Sequence, residues 1–183
     1  MSILLDLGYY PQLKKFIQSH DFANFEIGRI IRESKKKYVV KGQGGNYHGE
    51  ISGKLRHEAK IRSDYPAVGD WVAIKISGKD QVIIHEILPR KTIIERQAIG
   101  RFGKKQTIAT NVDVSFVMQD IAHDFNLNRL DRLIAICFAS KIKPVVILTK
   151  IDITDKHELA DRMDQINKRF NDIPILKLSN KSM

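Results

Sequence analysis

The spacing of the apolar residues changes near residue 112, and this change most restricts what the chain can fold into. Between Phe25 and Leu88, β-branched and aromatic residues form short runs separated by breaks rich in glycine, asparagine or proline. Five such runs within about 65 residues favour a small closed barrel, because closure leaves no strand edge exposed. From residue 113 onward, apolar runs alternate with stretches at helical spacing, which indicates strand–helix–strand units and a parallel sheet.

Strand and helix limits follow from these patterns. The predicted strands are 25–33, 37–42, 47–55, 70–76 and 81–88 in the barrel, then 113–119, 144–149 and 174–178. Asn126 or Asn128 caps a helix that runs through Lys141. Thr154 or Asp155 caps the next helix. With only three strands where a doubly wound sheet has five or six, the α/β domain is predicted to be partial.

The chain is expected to have four segments. They are a helical arm at 1–22, the barrel at 23–89, a basic linker at 90–108 and the first part of the α/β domain at 109–183. The linker assignment rests on six cations around two glycines: Arg90, Lys91, Arg96, Arg101, Lys104 and Lys105.

Composition narrows the class of protein. A net charge of +10 and a pI near 9.7 favour a polyanionic partner, although an ordinary basic protein has the same balance. Cys137 is the only cysteine, which excludes an internal disulfide and a cysteine-based zinc site, and no metal site is predicted in this chain. The N-terminus lacks a signal-peptide pattern, and no apolar run reaches the ~18 residues of a membrane span, so we expect a cytoplasmic protein without a membrane partner.

Two polar motifs follow neighbouring predicted strands, where open α/β sheets bind ligands. They are Thr149-Lys-Ile-Asp152 and Ser179-Asn-Lys181. The Asp152 carboxylate can accept hydrogen bonds from both N1–H and the N2 amine of guanine, and the Lys150 stem can pack on the purine face. The backbone N–H of Asn180 can donate to guanine O6. The candidate guanine-binding residues are Thr149, Lys150, Asp152, Ser179, Asn180 and Lys181.

The phosphate side of a nucleotide site is not evident. A tetrapeptide such as Thr149–Asp152 also occurs by chance as a solvated strand-to-helix cap, and only its position between an apolar strand and a capped helix favours guanine binding. The 183 residues contain no G-x-x-x-x-G-K-[ST] phosphate loop. No catalytic residue is therefore assigned in this chain.

Four further segments carry a family resemblance. Pro66-Ala-Val-Gly-Asp-Trp-Val72, Gln106-Thr-Ile-Ala-Thr-Asn-Val-Asp113, Phe125-Asn-Leu-Asn-Arg-Leu-Asp-Arg132 and Thr149–Asp152 occur in that order. The chain resembles the circularly permuted GTPases of late small-subunit maturation, the YjeQ/EngC-like or ribosome-small-subunit-dependent GTPase A proteins. In that family the guanine motifs precede the phosphate loop, which is how a guanine site can occur here without an upstream phosphate loop.

The resemblance implies more than the residues alone do. The barrel is expected to be an OB-fold, and the α/β part the start of a permuted P-loop GTPase domain. Implied ligands are GTP or GDP with Mg²⁺, and zinc in a C-terminal domain absent from these residues. Implied partners are the small ribosomal subunit and 16S-type rRNA. Two positions depart from the family: Thr149 stands where asparagine is commoner, and Asn180 where alanine is usual.

Several functions stay open on the sequence. In the first, this chain is the N-terminal portion of a GTP hydrolase of ribosome assembly, inactive alone because nucleotide affinity comes largely from the phosphate loop and Mg²⁺. In the second, it is an OB-fold RNA-binding module with a non-catalytic half-domain as scaffold. In the third, it is a purely structural interaction protein. The candidate RNA-binding residues, cations interleaved with aromatics, are Lys35, Lys36, Lys37, Tyr38, Tyr47, Lys54, Arg56, Arg96, Arg101, Lys104 and Lys105.

Overall fold

The computed structural model describes residues 3–35, 37–97, 105–179 and 181. The predicted residues Lys36, Arg101, Lys104 and Asn180 lie outside these ranges. The chain divides into two compact units, Met1–Val112 and Asp113–Met183, and each is described by itself below.

The first unit contains a closed five-stranded barrel with the strand order β1-β2-β3-β5-β4. Its strands are β1 (Glu26–Ser34), β2 (Lys37–Gly42), β3 (Gly45–Ile51), β4 (Trp71–Gly78) and β5 (Gln81–Ile87). Antiparallel β1 and β4 close the barrel, and β3 and β5 run parallel. The predicted barrel is confirmed. The third predicted strand was too long, because Gly53–Glu58 form helix α3, which Ser52 caps by accepting from the Leu55 N–H.

Alternate residues of the barrel strands fill its interior. Tyr38 and Val40 of β2 are buried, as are Tyr47 and Ile51 of β3, and they pack with Val72, Ile74, Val82 and Ile84. This alternation follows from the two-residue period of a strand, which sends every second side chain to the same face. The barrel core is therefore built from both tyrosines and the β-branched residues.

The N-terminal arm packs on the outside of the barrel. Helices α1 (Ile3–Asp6) and α2 (Pro11–Ser19) precede the first strand. Leu13 of α2 is buried with Phe22, Trp71 and Leu88. The Tyr9 ring meets Trp71 edge-on, with centroids 5.4 Å apart. The arm thus covers the only tryptophan of the chain, which is fully buried.

The segment expected to be a linker contains a β-hairpin. Strand β6 (Ile93–Gln97) pairs antiparallel with β7 (Lys105–Thr110), and both belong to the first unit. Arg90, counted among the linker cations, instead forms a two-pronged ion pair with the buried carboxylate of Asp70, at 2.8 and 2.7 Å. The Thr110 hydroxyl donates to the same carboxylate at 2.6 Å. These contacts fix both ends of the hairpin to the barrel, so the described residues at 90–97 and 105–108 belong to the first unit and do not form a linker.

The second unit is a three-stranded parallel sheet of order β10-β9-β8. Its elements are β8 (Val114–Asp120), α4 (Leu127–Ala139), β9 (Lys143–Thr149), α5 (Lys156–Arg169) and β10 (Ile175–Lys177). Asn126 caps α4 through the Arg129 N–H, and Asp155 caps α5 through the N–H groups of His157 and Glu158. The predicted partial α/β domain with a parallel sheet is confirmed.

Only one face of this sheet is covered. Right-handed crossovers between neighbouring parallel strands put α4 and α5 on the same side. On that side Val117, Gln119, Val146 and Leu148 are buried. On the other side Phe116 and Met118 are 64% and 59% exposed, which leaves an apolar sheet face open among the described residues.

Candidate functional site

The carboxyl ends of the three parallel strands form one edge of the second unit. β8 ends at Asp120, β9 ends at Thr149, and β10 is followed by Ser179. Asp120 is the register partner of Thr149, and Lys177 is that of Leu148. Both motifs predicted from the sequence therefore follow adjacent strands at this edge.

A sharp turn joins β9 to the segment that carries Asp152. Lys150 has a φ of 61°, a left-handed conformation that is uncommon for a residue with a side chain. Its carbonyl oxygen accepts from the Thr154 hydroxyl at 3.0 Å, and the Thr149 hydroxyl donates to the Gln119 carbonyl at 3.4 Å. These bonds stabilise the turn, and Asp152 is left exposed.

The ammonium of Lys150 binds a carboxylate that sequence reasoning missed. Lys150 Nζ lies 2.7 Å from Asp120 Oδ2. The hydrogen bond from Lys150 lowers the pKa of Asp120 to about 2, and the backbone N–H groups of His123 and Ala122 contribute to this shift. At neutral pH both groups are charged, and the pair carries no net charge.

Three more residues organise the loop after β8, and none was predicted. The buried Gln119 amide donates to the carbonyl oxygens of Asp120 and Asp124. Arg129 donates to Gln119 Oε1 at 3.3 Å and to the Asp124 carbonyl at 2.8 Å. From α5, Arg162 donates to the Ala122 carbonyl at 3.1 Å. The one clue in the sequence was the position of Gln119, two residues after Val117 on the same face of the predicted strand, because a buried amide needs nearby polar partners.

The third strand contributes the second motif. The Leu178 N–H donates to the Leu148 carbonyl at 2.8 Å, which extends the strand pairing past β10. Ser179 Oγ accepts from the Lys181 N–H at 3.1 Å, which links the two described residues of this motif. The proposed donor to guanine O6, the Asn180 N–H, lies outside the described residues.

This edge has the chemical groups needed to recognise a guanine base. Asp152 offers an exposed carboxylate, which accepts hydrogen bonds and donates none when ionised. Lys150 offers a methylene stem with a neutralised head. Adenine lacks the N1 proton and the N2 amine, so it cannot donate the same pair of hydrogen bonds to this carboxylate.

Four of the candidate RNA-binding cations lie at one end of the barrel. Tyr38 pairs with Gly49, so β2 begins at the end of the barrel where β3 finishes and α3 follows. Lys35 and Lys37 at the start of β2 and Lys54 and Arg56 on α3 are all exposed there. Arg96 of β6 is also exposed, and Lys105 begins β7.

Two predicted RNA-binding residues are corrected by the structure. Tyr38 and Tyr47 are only 2% and 8% exposed because both point into the barrel core. Burial raises the pKa of Tyr38 to about 12. Their rings cannot stack on bases, and the candidate surface therefore consists of cations without these aromatics. A cavity of about 420 Å³ opens beside it, lined by Lys37, His48, Glu50, Ser77 and Gln81 among others.

No group of three or more His, Cys, Asp or Glu residues that could hold a metal ion occurs in the described ranges. A zinc site built from three or four such side chains therefore does not fit the described residues. None of the helices in this part of the chain is long and apolar enough to cross a membrane.

Solved structures share this architecture. A crystal structure of YjeQ from Thermotoga maritima superposes with a TM-score of 0.65 at 18% identity, covering 86% of this chain and 53% of that one. The crystal structure of YloQ, described as a circularly permuted GTPase, gives 0.63 at 21% identity, covering 88% and 54%. At these identities the likeness establishes the fold: an OB-like barrel followed by a partial α/β domain.

Curated relatives are more similar in sequence. The small ribosomal subunit biogenesis GTPase RsgA of Opitutus terrae is 38% identical over 96% of this chain and 50% of its own length. RsgA 1 of Bacteroides thetaiotaomicron is 32% identical over 89% of this chain and 46% of its own. The chain thus spans about half the length of these relatives. The RsgA GTPase family model matches residues 87–183, more than half of the chain, and the protein belongs to that family.

Proposed function

We propose that this chain provides the guanine-recognition and RNA-binding portions of a ribosome-biogenesis GTPase acting in late small-subunit maturation in the cytoplasm. The observation that carries the proposal is the position of Thr149–Asp152 and Ser179 at the carboxyl ends of adjacent parallel strands. The names of the relatives support the same assignment. In the full-length parent, the expected reaction is GTP hydrolysis on the small subunit.

In this proposal the base is recognised by one carboxylate and one lysine stem. Asp152 accepts from guanine N1–H and N2–H, Lys150 packs on the ring, and the Asn180 N–H donates to O6. Thr149 holds the end of β9 against the neighbouring strand through the Gln119 carbonyl, in place of the commoner asparagine. Ser179 and Lys181, which are hydrogen-bonded to each other, complete the second guanine motif.

The 183-residue chain alone is expected to bind GTP weakly and to hydrolyse none. Most nucleotide affinity in P-loop proteins comes from phosphates held by backbone amides, a lysine and Mg²⁺. The sequence contains no phosphate-loop motif, so base recognition is the part of the function that this chain can contribute.

Guanine recognition is tested by titrating the ¹⁵N-labelled chain with GDP and with ADP in separate NMR experiments. GDP is expected to shift amides near Lys150 and Ser179 at millimolar concentrations, and ADP is not. Asp152→Ala removes the preference, whereas the control Asp161→Ala, an exposed carboxylate on α5, retains it. Equal shifts with GDP and ADP in the unmodified chain would refute guanine recognition.

A gain-of-function variant sharpens this test. Xanthine carries a carbonyl where guanine has its N2 amine, so a side chain that both accepts and donates suits it better. Asp152→Asn is therefore expected to prefer the xanthine nucleotide over GDP. If Asp152→Asn loses affinity for GDP and for the xanthine nucleotide alike, Asp152 has a structural role and does not read the base.

RNA binding is the second part of the proposal, and it rests on the cations at the β2 start and on α3. Each phosphate contact releases counterions, so log affinity for 16S-type rRNA should fall with log salt, with a slope of several units. Lys35→Gln and Arg56→Gln are expected to reduce that slope by about one unit each. A flat salt response would refute it.

The alternative function is an RNA-binding barrel with a scaffold half-domain. It shares the salt dependence but predicts no nucleotide preference and no effect of Asp152→Ala. In this alternative the second unit binds no nucleotide, and its open apolar sheet face is a scaffold surface. The NMR titration therefore decides between the two functions.

A further inference from the structure

Lys150 is held by a carboxylate on the neighbouring strand. Its ammonium lies 2.7 Å from Oδ2 of Asp120, the last residue of β8. Because β8 and β9 are adjacent and parallel, the lysine stem has to run from the end of one strand towards the end of the other. The stem therefore lies along the edge where the base is proposed to bind.

The carboxylate is itself fixed in place. While Asp120 Oδ2 binds Lys150, Oδ1 accepts from the backbone N–H groups of Ala122 at 2.9 Å and His123 at 3.1 Å. Arg162 of α5 holds the same loop through the Ala122 carbonyl. Asp120 is therefore anchored to its own loop by two backbone N–H groups, and it ties the lysine head to that loop.

We propose that Asp120 is a positioning residue for guanine recognition, which orders the Lys150 stem as a surface for the purine ring before nucleotide binds. This inference rests on the proposed function of the edge and adds a residue to it. A free lysine would lose side-chain rotamer entropy when a base packs on it, and a stem ordered in advance avoids most of that cost. Pairing also cancels the charge of the lysine, which would otherwise attract the phosphates of any nucleotide. The choice of guanine over other bases then depends on the Asp152 carboxylate.

One substitution separates the two roles of Asp120, the ion pair with Lys150 and the hydrogen bonds to the backbone of its own loop. Asp120→Asn keeps an amide oxygen to accept from Ala122 and His123, but it removes the negative charge that holds Lys150. Asp164→Asn is the matched control, because it removes a lysine–carboxylate pair of similar length, 2.6 Å to Lys168, on the exposed side of α5. The expected effect on GDP affinity is a loss of up to about fivefold, the upper end for a partly exposed ion pair.

The experiment titrates the unmodified chain and both variants with GDP and ADP by NMR, and it measures ¹³C relaxation of the Lys150 ε-methylene. Weaker GDP binding and a smaller GDP-over-ADP preference in Asp120→Asn support the proposal. Amides of Ala122 and His123 should stay in place while the Lys150 methylene becomes more mobile. A merely structural Asp120 would move those amides instead.

Two other results would overturn the proposed role of Asp120, and only one of them also overturns the proposed function. If the unmodified chain prefers GDP but Asp120→Asn binds equally well or better, Asp120 does not position the lysine and the proposed function stands. If the unmodified chain shows no preference for GDP, the proposed function fails and the role of Asp120 fails with it.

Discussion

The Arg90–Asp70 ion pair is expected to be among the most important contacts for the stability of the first unit. Asp70 is completely buried and Arg90 is 13% exposed at its side chain. Arg90→Met keeps the apolar stem but leaves Asp70 as a buried charge without its cation. It also removes the donors to the Ser63 and Tyr65 carbonyls, at 2.8 and 3.1 Å. Breaking a buried pair from one side costs about 3–5 kcal/mol.

Urea unfolding followed by tryptophan fluorescence measures this cost, because the single tryptophan, Trp71, is buried in the same unit. With an m-value of about 1–3 kcal/mol/M, the midpoint should fall by at least about 1 M. The control Arg96→Met removes an exposed cation from the same hairpin and should change the free energy of unfolding by less than about 0.5 kcal/mol.

A double variant tests the electrostatic reason. Arg90→Met with Asp70→Asn removes both charges. The amide oxygen can still accept from the Ala67 N–H, and the amide NH₂ can donate to the Thr110 hydroxyl, whose proton can rotate away. It should be more stable than Arg90→Met alone, since no uncompensated charge is left buried. Equal losses for Arg90→Met and Arg96→Met, or a double variant less stable than the single one, would refute the reasoning.

Three further predictions follow from single residues. Gly69→Ala should destabilise the first unit by more than about 2 kcal/mol in urea unfolding, because φ is +95° and a Cβ would lie 2.0 Å from the Thr110 carbonyl oxygen, whereas Gly53→Ala has open space. The Asp120 carboxyl should titrate by NMR near pH 2. Because its pKa is depressed, its stabilising effect is complete above the ordinary value of 3.8 and is lost as pH falls through about 2; a midpoint near 4 would contradict the Lys150 pair. Absorbance at alkaline pH should show Tyr38 ionising only near pH 12, and titration near pH 10 would place its ring in solvent.

Local patterns were sufficient to predict the two architectures. The two-residue period of KYVVKG and the helical spacing after Asn126 place strand and helix within a few residues of their observed limits. The same two-residue period also indicates that Tyr38 is buried, because Tyr38 lies on the same strand face as the buried Val40. The lysines beside Tyr38 suggested an exposed ring, whereas the alternation places the ring inside the barrel. The prediction that Tyr38 belongs to the RNA surface was therefore wrong.

Contacts distant in sequence could not be predicted in this way. Nothing near Arg90 in the chain indicates that its charge is neutralised by Asp70, so a cation-rich segment resembled a linker. The Asp120–Lys150 pair is similar: the two residues belong to different strands, and only the register of β8 on β9 brings them together. Sequence motifs predicted the residues proposed to contact the base, whereas the groups that hold them in place emerged only from the fold.

The order of strands in the two sheets has a consequence for how the chain folds during synthesis. In the second unit each strand pairs with the next one along the chain, so Val114 meets Lys143 and Val146 meets Ile175. The barrel closes only when Glu26 reaches Ile74, across a longer loop that includes two other strands. Longer loops cost more entropy and slow folding. The sheet of the second unit is therefore expected to form faster than the barrel, although the barrel leaves the ribosome first.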